Sequence, residues 1–245
     1  MKTYTATGVT LLARKFRGSQ RVVTFYTREQ GKVEAVAAGI GKPGSSLTGA
    51  VEPFTLSRLF FASGRDLDHL TQAQVLEAFP QIAGEVRTFG YGAWLAELTA
   101  RATESGQPCP PLFEALLESL RALAAGREPG LVAAAYALRL LEELGLAPVL
   151  DRCAACGGEL PGEAWYNAAA GGLLCESCRG QSGEDAVVRG AVRGALGGLR
   201  RLPPERLGTL RVPPEELAEI LRLLRAHLAF HLGFKLKSDG FLKGL

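Results

Sequence analysis

Four cysteines fall into two pairs, Cys153-Ala154-Ala155-Cys156 and Cys175-Glu176-Ser177-Cys178, with 18 residues between the pairs. Two residues between cysteines let one tight turn present both sulfurs to a tetrahedral ion, and Gly157 can take the positive φ that such a turn needs. Four thiolates leave no open coordination position, so the spacing predicts a structural Zn2+ and not a catalytic one. A redox Cys-x-x-Cys pair or four idle thiols are the other uses of these residue types, and two matched pairs together favour the metal. Cys109 stands between Pro108 and Pro110, far from both pairs, and is read as an incidental thiol.

Other spacings are weaker. Gly39-Ile40-Gly41-Lys42-Pro43-Gly44 satisfies G-x-G-x-x-G, but Ser45 to Ser63 reads as turn and strand, with no helix N-terminus to receive a pyrophosphate. It is treated as a glycine turn whose Lys42 can touch a phosphate. His227 and His231 have the separation used by H-E-x-x-H metalloproteases, yet Leu228 occupies the place of the general base. They are expected at the helix surface or in a domain contact.

The remaining constellation is cationic. Arg14, Lys15, Arg17 and Arg21 bracket one turn, Arg28 and Lys32 bracket the next, and Phe16, Phe25 and Tyr26 are interleaved. Lys and Arg neutralise phosphates with release of counterions, while base faces stack on aromatic rings irrespective of sequence, so this mixture suits a single strand. Tyr26 is expected on the outer, stacking face and Phe25 in the core. A second basic set, Arg200, Arg201, Arg206, Arg222, Arg225, Lys235 and Lys237, lies toward the C-terminus.

The elements that must position these groups differ along the chain. Residues 1 to about 75 are rich in Thr, Val and Phe and broken by turn signals, which predicts about five strands. Val23 and Phe25 alternate with Val22, Thr24 and Tyr26, and Pro53 argues for an edge or a bulge in the fourth strand. Short strands closing on themselves suggest an OB-like barrel. From about Pro80 the apolar period becomes helical: Trp94, Leu95, Leu98 and Ala102 share one face, Phe113, Leu116, Leu117, Leu120 and Ala124 the next, and a third helix runs Leu131 to Leu144. Gly145 supplies its left-handed cap. Pro213-Pro214-Glu215-Glu216 opens a last long helix with a Leu217, Ile220, Leu221, Leu224, Leu228 stripe. The expected architecture is α+β: an OB-fold DNA-binding domain over residues 1–79, then an all-α domain over 80–245 with a four-cysteine zinc-finger loop inserted at about 150–182.

Five cysteines in 245 residues are too few for a disulfide scaffold, and no apolar run is long enough to span a bilayer, so a cytoplasmic protein is expected. The net charge of +3 conceals segments of opposite sign, +4 over residues 1–80, −6 over 81–178 and +5 over 179–245. No nucleophile elbow, Cys/His pairing or clustered Asp run points to catalysis, and no enzyme is expected.

Taken in order, these pieces resemble the RecO family of bacterial recombination-repair proteins. The resemblance runs through Arg28-Glu29-Gln30-Gly31-Lys32-Val33, Ala38-Gly39, Ser45-Ser46-Leu47, Glu52-Pro53-Phe54, Leu144-Gly145-Leu146-Ala147-Pro148 and His231-Leu232-Gly233-Phe234-Lys235-Leu236-Lys237-Ser238 before Phe241-Leu242. It implies an N-terminal OB-fold and a helical domain holding a zinc finger. It also implies binding to single- and double-stranded DNA, annealing of complementary strands, and work with RecR to load RecA on strands coated by single-stranded DNA-binding protein, whose tail it contacts. A nucleoid-associated location follows. Many relatives lack the cysteines, so the zinc is assigned to holding shape. A zinc-containing interaction adaptor and an RNA-binding OB-fold protein are the alternatives that the residues leave open.

Overall fold

The computed structural model describes residues 2–40, 45, 47–160, 162–180 and 185–242, apart from the side chain of Glu205. Lys42 and the rest of 41–44 lie outside the described residues. By its contacts the chain divides into two compact units, Met1–Ala125 with Ser238–Leu245, and Gly126–Lys237. Secondary-structure type changes near residue 80, whereas the break in contacts falls at 125/126, because the first helices pack with the barrel.

In the first unit, β1 (Thr3–Lys15), β2 (Arg21–Thr27), β3 (Gly31–Ala37), β4 (Leu56–Ala62) and β5 (Asp68–Glu77) close into a barrel in the order β1-β2-β3-β5-β4. β3 and β5 pair in parallel; the other ladders are antiparallel. Closure depends on β1, whose first half pairs with β4 and second half with β2, with a register shift between Thr10 and Leu12. A bulge bends a strand and increases its twist, which lets one strand serve two neighbours around a small barrel. Val23 and Phe25 point into the barrel with Val33, Ala35, Leu59 and Phe61, as their alternation predicts.

The opposite face of β2 corrects one expectation. Val22 and Tyr26 are buried too, because α3 (Val86–Ala102) packs across β1 and β2, and Phe113 of α4 (Pro110–Ala124) brings its ring to 6.5 Å from that of Tyr26. A second correction concerns the stretch after Gly39: Leu47–Ala50 form one helical turn, α1, where only turn and strand were expected. Pro53 lies in the turn between α1 and β4, not in a strand. Gly31 is required where it stands: its φ is +65°, and a Cβ there would lie 2.2 Å from the Gln107 carbonyl oxygen. The unit is completed by α2 (Pro80–Ala83) and by α8 (Ser238–Leu242), which returns to α3. There Trp94 Nε1 donates to Asp239 Oδ1 at 2.8 Å, and the Ser238 N–H donates to Glu97 at 2.9 Å.

In the second unit, α5 (Pro129–Glu143) is buried almost all round and ends as its sequence predicts. Gly145 has φ +71°, its N–H donates to the Glu142 carbonyl, and Leu146 N–H donates to that of Leu141 at 2.7 Å. Strands β6 (Ala164–Asn167), β7 (Gly172–Leu174) and β8 (Ala186–Val188) form a small sheet in the order β7-β6-β8, so the cysteine-bearing segment is more structured than a bare loop. α6 (Gly190–Arg201), a 3-10 turn (Pro204–Thr209) and α7 (Pro214–Leu232) follow. α6 buries Val192, Ala195, Leu196 and Leu199, a one-face helical spacing inside a glycine-rich passage. Among the described residues, no helix is long and apolar enough to cross a membrane.

Candidate nucleic-acid interface and metal centre

The β1–β2 hairpin carries the first cationic group. Arg14, Lys15 and Arg17 are exposed, and Arg21 is half-buried at the foot of β2. Phe16 remains 43% exposed at the tip, with the Arg17 guanidinium 5.2 Å from its ring centre. Arg14 lies 3.8 Å from Glu34 and Arg21 lies 3.9 Å from Glu52, exposed pairs that hold their partners weakly and can exchange them for other anions.

The second bracket behaves differently. Tyr26 is 0% exposed and cannot stack on a base, since the helices cover the strand face that alternation left open. Arg28 pairs with Glu114 and lies 5.4 Å from the Phe113 ring centre, tying β2 to α4. Lys32 Nζ donates to the carbonyls of Ala100 and Thr103, where an ammonium satisfies acceptors left over at the end of α3. Two cations missed in the sequence, Lys2 and Arg65, line a 460 Å³ cleft at the barrel end together with Tyr4 and Asp68. Arg65 belongs to the β4–β5 loop, and only the order of the strands makes such a loop a candidate.

The C-terminal cations all belong to the second unit. Arg200 and Arg201 end α6, Arg222 is exposed and Arg225 half-buried on α7, and Lys235 and Lys237 are exposed beyond it. Arg193, which the sequence did not single out, joins Arg200 and Arg201 around one cleft.

The cysteine pairs converge. The four Sγ atoms lie within 4.8 Å of one another and could hold a metal ion. Each pair sits on a turn: Gly157, with φ +72°, donates its N–H to the Cys153 carbonyl at 2.9 Å, and Cys178 N–H donates to that of Cys175 at 3.1 Å. Burial opposes ionisation of the Cys153 thiol, but N–H groups of Cys156, Cys175 and Ala155 outweigh it and bring the thiol down to about 6. Sharing of the proton with Cys175 and Cys156 pushes Cys178 up to about 12. A cation bound among four thiols displaces their protons, since only the thiolate is a ligand.

The two histidines of α7 anchor the finger. His227 is fully buried, not on the helix surface; its Nε2 lies 2.8 Å from the Leu146 carbonyl and its Nδ1 2.9 Å from the Tyr166 hydroxyl. A carbonyl can only accept, so Nε2 carries the proton and Nδ1 accepts from Tyr166. His231 Nε2 donates to the Ala168 carbonyl at 2.9 Å. Burial brings His227 down to about 4, with the Leu146 carbonyl opposing and His231 adding to the fall. A histidine whose folded value is depressed adds stability above its ordinary value, about 6.5, that is lost as pH falls toward the folded value. Between pH 7 and pH 5 the second unit should therefore lose roughly 2 kcal/mol. Urea unfolding at the two pH values measures this, and a His227→Gln variant that shows the same drop would assign it elsewhere.

Two family profiles match the chain, the one described as Recombination protein O N terminal over residues 1–79 and the one described as Recombination protein O C terminal over residues 84–240. The chain belongs to the RecO family. Relatives called DNA repair protein RecO agree along nearly the whole length. That of Pelotomaculum thermopropionicum is 37% identical over 99% of this chain and 94% of its own. Those of Desulforudis audaxviator and Moorella thermoacetica are 33% and 34% identical over 99% and 98% of this chain, and 97% and 90% of their own. The first RecO profile spans the five-stranded barrel and ends before α2, and the second takes in helices α3 to α7 and the cysteine cluster.

Proposed function

We propose that this chain is a DNA-repair mediator that captures single- and double-stranded DNA, anneals complementary strands and, with RecR, helps load RecA onto strands coated by single-stranded DNA-binding protein. It acts by positioning and charge, with no bond made or broken. The observation that carries this reading is the β1–β2 hairpin, where Arg14, Lys15 and Arg17 project beside a half-exposed Phe16 on a closed five-stranded barrel. Barrels of this topology use the β1–β2 and β4–β5 loops to bind oligonucleotides, and Arg65 supplies a cation on the second loop. Residues 1–79 serve as the DNA-binding domain, with Arg14, Lys15, Arg17 and Arg21 as its phosphate contacts and Lys42 as a further cation outside the described residues. Arg200, Arg201, Arg222, Arg225, Lys235 and Lys237 give residues 80–245 a second cationic surface. Two cationic surfaces lower the repulsion between strands that opposes annealing. The tail of the single-stranded DNA-binding protein, RecR and indirectly RecA are its protein partners, in the cytoplasm at the nucleoid.

The metal is one structural Zn2+ on Cys153, Cys156, Cys175 and Cys178. Tetrahedral Zn–S bonds of about 2.3 Å place sulfurs about 3.8 Å apart, and Cys156 Sγ and Cys175 Sγ are 3.9 Å apart.

Titrating a fluorescent oligonucleotide at several salt concentrations tests the DNA reading. The logarithm of the binding constant should fall linearly with that of salt, by about 0.7 per phosphate neutralised on a single strand. A flat dependence would remove the proposal.

A further inference from the structure

The cysteine cluster is not sheltered equally on all sides. Cys153 is buried and Cys175 and Cys178 are half-buried, whereas Cys156 is exposed. Its flank is bare because glycines follow it: a Cβ on Gly158 would stand 3.3 Å from Cys156 Sγ, and the chain has none there. A Zn2+ held by four cysteines keeps every one of them as the thiolate, which is the form that reacts with oxidants. Susceptibility follows thiolate character and access together, so solvent meets one reactive sulfur before the other three.

That sulfur has a neighbour from the other turn. Cys156 Sγ and Cys175 Sγ lie 3.9 Å apart, within reach of the attack that forms a disulfide. Cys153 is the poorer partner, since it is buried and its sulfur is engaged by the N–H groups of Cys156, Cys175 and Ala155. Cys156 and Cys175 also bracket β6 and β7, so a bond between them closes a loop around that hairpin. A cross-link of this kind restrains the unfolded chain and keeps the strands together. A bond within either Cys-x-x-Cys turn encloses neither strand.

We infer that the cluster is an oxidation site, at which the Cys156 thiolate reduces a peroxide, Cys175 closes a disulfide onto it, and the ion leaves while β6 and β7 stay tied. The Cys156 thiolate attacks one peroxide oxygen, forming an S–O bond as the O–O bond breaks and hydroxide leaves. The Cys175 thiolate then attacks the sulfenic sulfur, forming the S–S bond as S–O breaks and a second hydroxide leaves. The two thiolates give up two electrons in all, and the peroxide gains them. With two of its four ligands gone, the ion is no longer held. The inference rests on the structural-zinc reading above. Its effect extends to α7, where His227 and His231 take their contacts from Tyr166 and Ala168 of the finger.

The test uses the full zinc-loaded chain, hydrogen peroxide and a chromogenic zinc indicator, in a Cys109→Ser background that removes the one cysteine of the other unit. Peroxide should release one Zn2+ per chain with loss of two free thiols, and dithiothreitol with added Zn2+ should reverse both. After the remaining thiols are alkylated, cleavage at Glu159 and Glu176 separates the first turn, Cys175 and Cys178. Mass spectrometry should then find Cys156 joined to Cys175, with Cys153 and Cys178 alkylated. Gly158→Ala sets a methyl against Cys156 Sγ without altering a ligand, and should slow release severalfold at unchanged zinc content. Trp165 emission should move less to the red after peroxide than after chelation, because the hairpin remains closed; an equal shift would overturn the tie. A first disulfide within either turn, or release from Gly158→Ala at the same rate or faster, would overturn the roles of Cys156 and Cys175. Retention of zinc at peroxide levels that oxidise a free thiol would overturn the oxidation site and leave the structural ion standing. A chain that purifies without zinc and takes up none would overturn the parent reading itself.

Discussion

Reversing the charge of Arg14, Lys15 and Arg17 together should weaken single-strand binding by on the order of 10²-fold or more at about 0.1 M salt, and lower the salt slope by about 2. Each phosphate neutralised on a single strand contributes about 0.7 to the slope, so at that salt each is worth roughly 5-fold in affinity, and three compound. These side chains suit the test because all three are exposed and project from a hairpin that the barrel core does not need. The pair Arg14 makes with Glu34, at 3.8 Å between exposed groups, adds little to folding. Lys32 makes the opposite control. Its ammonium satisfies the carbonyls of Ala100 and Thr103, so Lys32→Ala should lower the unfolding midpoint in urea, and any change in DNA binding should follow that fall. Fluorescence anisotropy with a labelled oligonucleotide measures the affinities. A triple reversal that binds as tightly as the unaltered chain, with the same slope, would sink the hairpin as the site that meets the polyanion.

The contrast between those residues shows what a linear sequence conveys. Turn signals and period-two alternation placed Val23 and Phe25 in the barrel and cations on its first hairpin, because both are local properties of a strand pair. Alternation also separated Tyr26 from Phe25 correctly, but it cannot say whether the far face of a strand is wet. That face is closed by Phe113, far away in the chain, and Arg28 meets Glu114 on the same helix. Cationic residues near a turn were therefore legible as a group, while their division into free and structural members depended on helices with no local signature in the barrel. The cysteine spacing was legible for the same reason as the hairpin, since two tight turns that bring four thiols together set it. The small sheet around it was not, because strands of four, three and three residues carry too little pattern. α6 was hidden by its glycines, although Val192, Ala195, Leu196 and Leu199 keep the helical interval. His227 and His231 were legible as an i, i+4 pair, and only the fold shows that they face the finger instead of an ion.

Stripping the metal should release one Zn2+ per chain and unfold the finger while the barrel persists. A sheet of three strands this short needs further packing to be stable in water, and a structural zinc contributes on the order of 10 kcal/mol or more to such a unit. Without the ion the four thiols, all within 4.8 Å, have only shared protons to hold them together. Trp165 reports the change: it is buried in β6 with the Arg179 guanidinium 4.6 Å from its ring, beside Cys178, and its emission should shift to the red on chelation. Trp94 belongs to the other unit, where Asp239 holds its ring N–H, and a Trp94→Phe background isolates the signal. The finger also supplies Tyr166 and Ala168 to the α7 histidines, so chelation should shrink the stability difference between pH 7 and pH 5 that burial of His227 creates. Cys153→Ser with Cys156→Ser should reproduce both effects without chelator. Because the hairpin cations lie on a barrel with its own core, strand capture should survive metal loss, and its disappearance on chelation would show that the ion does more than hold shape.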